Sequence, residues 1–437
     1  MMETLEKRFN CYLTDAVEKF IMKEFHYVLQ VSAFYLCLRG KWIYFSIFQF
    51  ILYHFILGTF IIILFYTIVL IKDFQLGIAV QAFHIMGGVS MTVNILLWMN
   101  YNRDILSETF TIFHSKFYQY DESFDSKMVE PWLEEVKMVQ KNMFLFVSFM
   151  LFTIGLQVIV GGPIEDMLQG TVIEETYIND VYMQLPVPLY FPFLITNNTV
   201  KYVCLVYEII IAFIVLSVLG SAVLFIFYAT HSVNVQLRIL IYSIKNIEQR
   251  ALNKCKVKYN DFKTYQNIIA LYSDPKFTKE YEQCIKENVQ HHYQILRAYT
   301  KIDIIERWPM FIVIFFISII IGCALFTLLK GETRIAPQLH SFLLLILELT
   351  AMIVICKRGQ DLSDLNDELF RSFYETKWFY CSKSIKQSMV IIQEKCKTRL
   401  TYKAGGLTDI NWELFGTVMN TAYSYFNLMR AMKFSTD

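Results

Sequence analysis

The sequence predicts an all-α membrane protein. Seven transmembrane helices are expected, with the amino terminus cytoplasmic, the carboxyl terminus extracellular and a cytoplasmic helical anchor bundle. Three observations predict it. Of 437 residues, 55% are apolar and only 18% charged, against about 25% charged in a soluble domain. Long uncharged stretches recur, each near the roughly 20 residues that cross a bilayer. Lysine and arginine gather in alternate segments between them, which fixes orientation.

Residues 42–71, 74–102, 142–164 and 308–329 contain no acidic or basic residue except histidine. Residues 202–237 carry only Glu208, and 335–356 only Glu348. A seventh span, 414–432, is weaker, because it holds Thr417, Asn420, Thr421, Ser424, Asn427 and Arg430. Such a helix must be shielded by its neighbours or line water. With the amino terminus inside, the inner segments 1–41, 100–141, 230–307 and 357–406 hold 34 of the 40 Lys/Arg residues. The single sequon, at Asn197, falls in the predicted outer loop 165–201 and makes Asn197 a glycosylation candidate. This orientation is the reverse of a G-protein-coupled receptor.

These boundaries divide the chain into an amphipathic amino-terminal segment 1–41, spans one to four in 42–229, and a cytoplasmic helical extension 230–307. Spans five and six follow in 308–356, an anchor in 357–406, and the last helix with its outer tail in 407–437. Val17, Phe20, Ile21, Val28 and Val31 make a stripe that can lie along the membrane or dip into it. Tyr281, Ile285, Val289, Tyr293 and Leu296 recur at helical spacing, as do Leu362, Leu365, Leu369 and Phe373. These stripes call for a partner, in the same chain or in another subunit.

Other classes are disfavoured. A formal net charge of +1 gives no field for nucleic acid. The nine cysteines contain no CxxC, so no zinc or thioredoxin-type site is expected. Residues 1–41 lack a signal-peptide core, so the first span is expected to start insertion itself. Glu287 lies one turn before His291; one such pair is too few ligands for a metal, and a surface pairing is expected instead. No catalytic string is present, so neither enzyme activity nor a cofactor is expected. A secondary transporter would require internal repeats and broken helices, which the sequence lacks.

Along the last helix, Thr417, Thr421, Ser424, Leu428 and Met432 fall on one stripe. Its inner part is small and hydroxylic and its outer part apolar. In a ring of such helices, Leu428 and Met432 would form a constriction that gates by dewetting. The alternative is that the hydroxyls pack against neighbouring helices.

The string Thr421-Ala422-Tyr423-Ser424-Tyr425-Phe426-Asn427-Leu428-Met429-Arg430 resembles the terminal SYFxLLR-type motif of the insect odorant receptor family. Ala404-Gly405-Gly406-Leu407 is similar to the glycine-rich approach to the family's last helix, and Trp378 stands upstream at family-like spacing. Leu185-Pro186-Val187-Pro188 and Tyr190-Phe191-Pro192-Phe193 resemble its outer-loop pattern, with Leu194 where aspartate often follows. The resemblance implies a tuning subunit of an odorant-gated, non-selective cation channel in the plasma membrane of sensory dendrites. In that family a heterotetramer with a shared co-receptor surrounds one pore, lined by the last helices. A gustatory-type receptor channel shares the fold but ends in a different string, and a metabotropic receptor or a transporter is a more distant alternative.

The resemblance also implies a small, neutral, volatile ligand bound within each subunit, in the outer half of the bilayer. The corresponding residues are Phe83, His84, Met86 and Gly87 on span two, and Leu151, Ile154, Gly155 and Val158 on span three. Span four offers Tyr202, Leu205, Val206 and Ile209. Span five offers Ile320, Ile321, Cys323 and Ala324, and span six His340 and Leu343. His84 and His340 are candidate donors, or else histidines bonded to a nearby carbonyl. Glu208 and Glu348 are intramembrane acids and so candidates for function; Glu208 could instead satisfy a buried hydroxyl or sit near the outer interface.

Overall fold

The structure, a computed structural model, describes residues 15–25, 28–34, 42–70, 76–157, 177–255, 268–330 and 335–434. These residues are mostly helical. Helix α1 (Asp15–Phe25) and the single turn α2 (Val28–Val31) precede α3 (Trp42–Leu70), α4 (Leu76–Tyr101), α5 (Arg103–His114) and α6 (Glu130–Leu156). After a small sheet come α7 (Asn198–Lys245), α8 (Ile247–Lys254), α9 (Ile268–Ser273), α10 (Pro275–Lys330), α11 (Ile335–Glu375), α12 (Lys383–Lys397) and α13 (Trp412–Phe434).

The seven uncharged or nearly uncharged stretches fall on α3, α4, α6, α7, α10, α11 and α13. Among the described residues, α3, α4, α6, α7 and α10 are long and apolar enough to cross a membrane by length and composition. Their surfaces are inverted relative to a soluble protein. Phe48, Phe55 and Phe65 of α3 are each more than half exposed, as are Phe149 and Phe152 of α6. Apolar exposure on this scale requires an apolar solvent. The protein is thus an all-α, multi-pass membrane protein.

Three helices overrun the bilayer. At 1.5 Å per residue, the 48 residues of α7, 56 of α10 and 41 of α11 reach about 72, 84 and 61 Å. The hydrocarbon core is about 30 Å thick. Their extensions pack together at one end of the bundle, the extension end. The small sheet marks the other.

That sheet was not foreseen. Strands β1 (Tyr177–Ile178), β2 (Val181–Tyr182) and β3 (Leu189–Tyr190) pair antiparallel in sequence order. Asn179 and Asp180, both at positive φ, make the two-residue turn, a conformation these side chains tolerate better than most. The Tyr190 amide donates to Thr67 Oγ1 at 2.9 Å, tying the sheet to α3. Asn197 caps α7, its Oδ1 accepting from the Val200 amide at 2.9 Å.

The stripe of α1 faces protein. Val17, Ile21 and Phe25 are buried, and Phe25 meets Phe110 of α5 and Tyr228 of α7 edge to face. Val31 is half exposed, and Leu29 is buried in its place.

The extensions enclose a polar cluster. Arg250 of α8 and Glu287 of α10 approach to 2.5 Å, and Lys254 holds the other Glu287 oxygen at 2.5 Å. Asn288 Oδ1 accepts from Ser243 and Arg250. His291 lies between Tyr120 Oη and Gln236 Oε1 at 2.8 and 2.9 Å. Burial pushes His291 down to about 3, so it stays neutral. The expected surface pairing of Glu287 with His291 is therefore wrong: both are buried, and each is bonded to other groups. Buried charges are kept only where partners of this kind exist.

A two-stranded hairpin, β4 (Lys403–Ala404) with β5 (Thr408–Asp409), leads into α13. Gly405 and Gly406 turn it at φ +62° and +76°, where a side chain would be strained. The Gly405 amide donates to the Arg307 carbonyl at 2.8 Å, and the Tyr299 hydroxyl to the Thr401 carbonyl at 2.7 Å. The hairpin is thereby fixed to α10.

Candidate pore helix and ligand cavity

Helix α13 has two unlike faces. Leu414, Val418, Ala422 and Phe426, spaced by four, are all buried. They lie towards α10, where Gly322 admits the close approach. A methyl at residue 322 would come within 3.1 Å of both the Ala422 carbonyl oxygen and Tyr425 Cβ. The other face is open in the single chain. Thr417, Asn420, Ser424 and Leu428 are exposed and Thr421 is half-buried. The side chain of Met432 lies outside the described residues.

Each hydroxyl on that open face bonds back to its own helix. Thr417 donates to the Glu413 carbonyl at 3.0 Å, Thr421 to Thr417 at 2.8 Å and Ser424 to Asn420 at 2.9 Å. The hydroxyl protons are thus used within the helix, and the remaining lone pairs point outward.

The residues implied for ligand binding fall into three groups. Gly87, Ile154, Ile320, Ile321 and Ala324 are buried packing residues. At Gly87, a methyl would meet the Phe316 ring at 2.9 Å, so this glycine sets the spacing of α4 and α10. Phe83, His84, Met86, Gly155, Leu205, Cys323 and Leu343 are half-buried. Tyr202, Val206 and Ile209 are exposed on α7, opposite the buried Cys204, Glu208 and Ile211. They point away from the bundle interior, which corrects the expectation for these three. Val158 and the side chains of Leu151 and His340 lie outside the described residues. Glu208 is buried near the Val187 backbone, at the sheet end of α7, and among the described residues neither of its carboxyl oxygens has a hydrogen-bond partner.

A partly open cavity of about 210 Å³ lies between α4, α6, α7, α10 and α11. Met91, Ile95 and Met99 line it from α4, and Met143 and Phe146 from α6. Pro309, Val313 and Ile317 of α10 and Glu348, Ala351 and Ile355 of α11 complete much of the wall. It lies one to three helical turns nearer the extension end than the residues implied for ligand binding and shares none of them. Sequence reasoning missed it, although Glu348 marks it.

Its lower rim has a specific construction. Pro309 has no amide proton, so the carbonyl four residues earlier loses its helical partner. That carbonyl, of Ile305, accepts from the Trp98 indole of α4 at 2.8 Å. Beside it, Glu306 of α10 meets Arg358 of α11 at 3.0 Å, both buried. Arg358 also lies over the Tyr402 ring at 5.2 Å. Burial pushes Glu306 up to about 7, with Arg358 acting in the opposite direction. The pair links α10, α11 and the hairpin that enters α13. The two residues are far apart in sequence, and their only early signal was that both stand where a span meets the extension. Among the described residues, no cluster of three or more metal-ligating side chains occurs.

A family profile described as 7tm Odorant receptor matches residues 75–423. Odorant receptor 85b of Drosophila melanogaster is 25% identical over 146 residues, 33% of this chain and 37% of that protein. Odorant receptor 49a of the same fly is 28% identical over 91 residues, 21% of this chain and 23% of its own length. The matched segments thus span well under half of either relative. The fold is similar along nearly the whole chain to the insect olfactory receptor OR5 from Machilis hrabei in complex with eugenol. That likeness has a TM-score of 0.73 and 12% identity, over 95% of this chain and 98% of the other. A second structure of the same receptor gives a TM-score of 0.65 at 13% identity, over 95% of this chain and 99% of the other. The family is one of receptors, not enzymes, and the chain belongs to it: this is an insect odorant receptor.

Proposed function

We propose that the chain is a tuning subunit of an odorant-gated, non-selective cation channel in the plasma membrane. Its seven helices α3, α4, α6, α7, α10, α11 and α13 cross the bilayer, with the amino terminus in the cytoplasm. The extensions form the cytoplasmic anchor, and a co-receptor subunit completes a heterotetramer. A small volatile binds between the helices in the outer half of the membrane; the similar receptor OR5 was solved in complex with one such molecule, eugenol. Phe83, His84 and Leu343 are half-buried residues suited to that role. The binding must favour the open state over the closed one, since equal affinity for both shifts nothing.

The observation that carries this reading is the two-faced α13. One face is buried against α10, and the other offers hydroxyls followed by the exposed Leu428. Turned inward beside the last helices of the other subunits, this face would contribute to a wetted tube closed by an apolar ring.

Replacing Leu428 with serine tests it. Burying a leucine side chain is worth about 1.5–3 kcal/mol, so losing the apolar seal should favour the open state at least roughly tenfold. Voltage clamp of cells co-expressing the co-receptor should show a raised odorant-independent current reversing near zero. A silent Leu428→Ser channel at normal surface density removes the gate assignment.

A further inference from the structure

The cavity holds a feature that neither the family resemblance nor the pore reading uses. On α11, Leu347, Glu348, Ala351, Val354 and Ile355 line it at helical spacing, and Glu348 is the only acid among its lining residues. Among the described residues, no hydrogen bond or ion pair reaches the Glu348 carboxyl. Arg358 also lines the cavity, but Glu306 holds it at 3.0 Å. It lies ten residues along α11 from Glu348, about 15 Å away. The remaining walls are methionine, phenylalanine and aliphatic side chains, with Thr350.

A carboxyl group facing an apolar hollow without a donor loses the solvation it has in water. The loss is offset when an occupant supplies N–H donors. We propose that this cavity is a binding site for a small apolar amine, whose nitrogen pairs with Glu348 while its hydrocarbon part fills the methionine-lined space. An engineered cavity of roughly 150 Å³ holds benzene, so about 210 Å³ suits roughly eight non-hydrogen atoms. An amine fits better than an alcohol because charge-assisted N–H···O bonds are about twice as strong as neutral ones. Phe146 and Phe227 stand in the wall, and aromatic rings attract cations. Methionine side chains adapt to irregular occupants. The site is separate from the outer-half pocket and does not depend on the channel reading.

The test uses the full chain purified in detergent, with hexylamine as probe and 1-hexanol and hexane as matched controls. Hexylamine should raise the melting temperature and saturate, and the controls should bind at least tenfold more weakly. Glu348→Gln should cost at least tenfold in hexylamine affinity without moving the unliganded melt by more than a few degrees. If that variant does not fold, Ala351→Leu, which fills the cavity, should abolish the hexylamine shift. Equal binding of amine and alcohol, unchanged amine affinity in Glu348→Gln, or no amine binding at all overturns the proposal. Odorant-evoked currents without amine binding would overturn this site and leave the channel reading intact. Amine binding in a chain that passes no current would support the site and count against the channel.

Discussion

Gly359→Ala is expected to abolish odorant-evoked current and to cost the fold about 3 kcal/mol or more. A methyl at residue 359 would lie 1.9 Å from the Ile410 carbonyl oxygen and 2.9 Å from its carbonyl carbon. Both atoms are backbone, so no rotamer change relieves the clash. Overpacking of a core usually costs 1–3 kcal/mol, more where nothing yields. Here the yielding element would be the β4–β5 hairpin, which Ile410 closes by donating to the Tyr402 carbonyl at 2.9 Å. Moving the hairpin from α11 displaces the start of α13 at Trp412. Gly58→Ala on α3 is the control, since a methyl there meets nothing within 4 Å. It should melt as the wild type does or slightly higher, because alanine favours a helix over glycine. Thermal unfolding of the purified protein and surface-normalised current check both; a Gly359→Ala channel with wild-type melt and current would refute the hairpin's role.

Arg358→Leu should be the second severe change. Arg358 and Glu306 are both almost fully buried and 3.0 Å apart. Removing Arg358 leaves the buried Glu306 carboxyl without its cation, and breaking a buried pair in this way typically costs about 3–5 kcal/mol. Replacing both partners with apolar residues is often close to neutral. The double variant Glu306→Leu, Arg358→Leu should therefore recover most of the melting temperature that Arg358→Leu loses. Because the pair joins α10, α11 and the hairpin below α13, the recovered protein should still gate abnormally. Its odorant concentration–response curve, measured against surface expression, separates gating from folding. A double variant as unstable as the single would mean that shape, not charge, holds this junction.

Much of this architecture is readable from residue order. Uncharged stretches and the charge bias place the spans, and helical periodicity beyond them marks the extensions of α7, α10 and α11. The hydroxyl stripe of α13 was visible because polar residues are rare in such helices, and their spacing survives folding. Facing is harder to read in α4 and α7. A helix that is apolar all round carries no moment to say which side is inward. That is why Tyr202, Val206 and Ile209 looked suited to a pocket yet lie on the outside of α7. Likewise α1 has a stripe fit for a membrane surface, but α5 and α7 cover it. The cavity, the Glu306–Arg358 pair and the Trp98–Ile305 bond join residues far apart in the chain. No local pattern specifies which of several buried polar groups will meet.

The open face of α13 carries the account, and cysteine accessibility tests it most directly. Thr421→Cys and Ser424→Cys should each let a membrane-impermeant thiol reagent block the odorant-evoked current of the assembled channel. Ala422→Cys and Val418→Cys, on the face buried against α10, should be insensitive, as should the wild type with its own cysteines. Block at Ala422 or Val418 with protection at Thr421 and Ser424 would contradict the assignment of this face to the ion path.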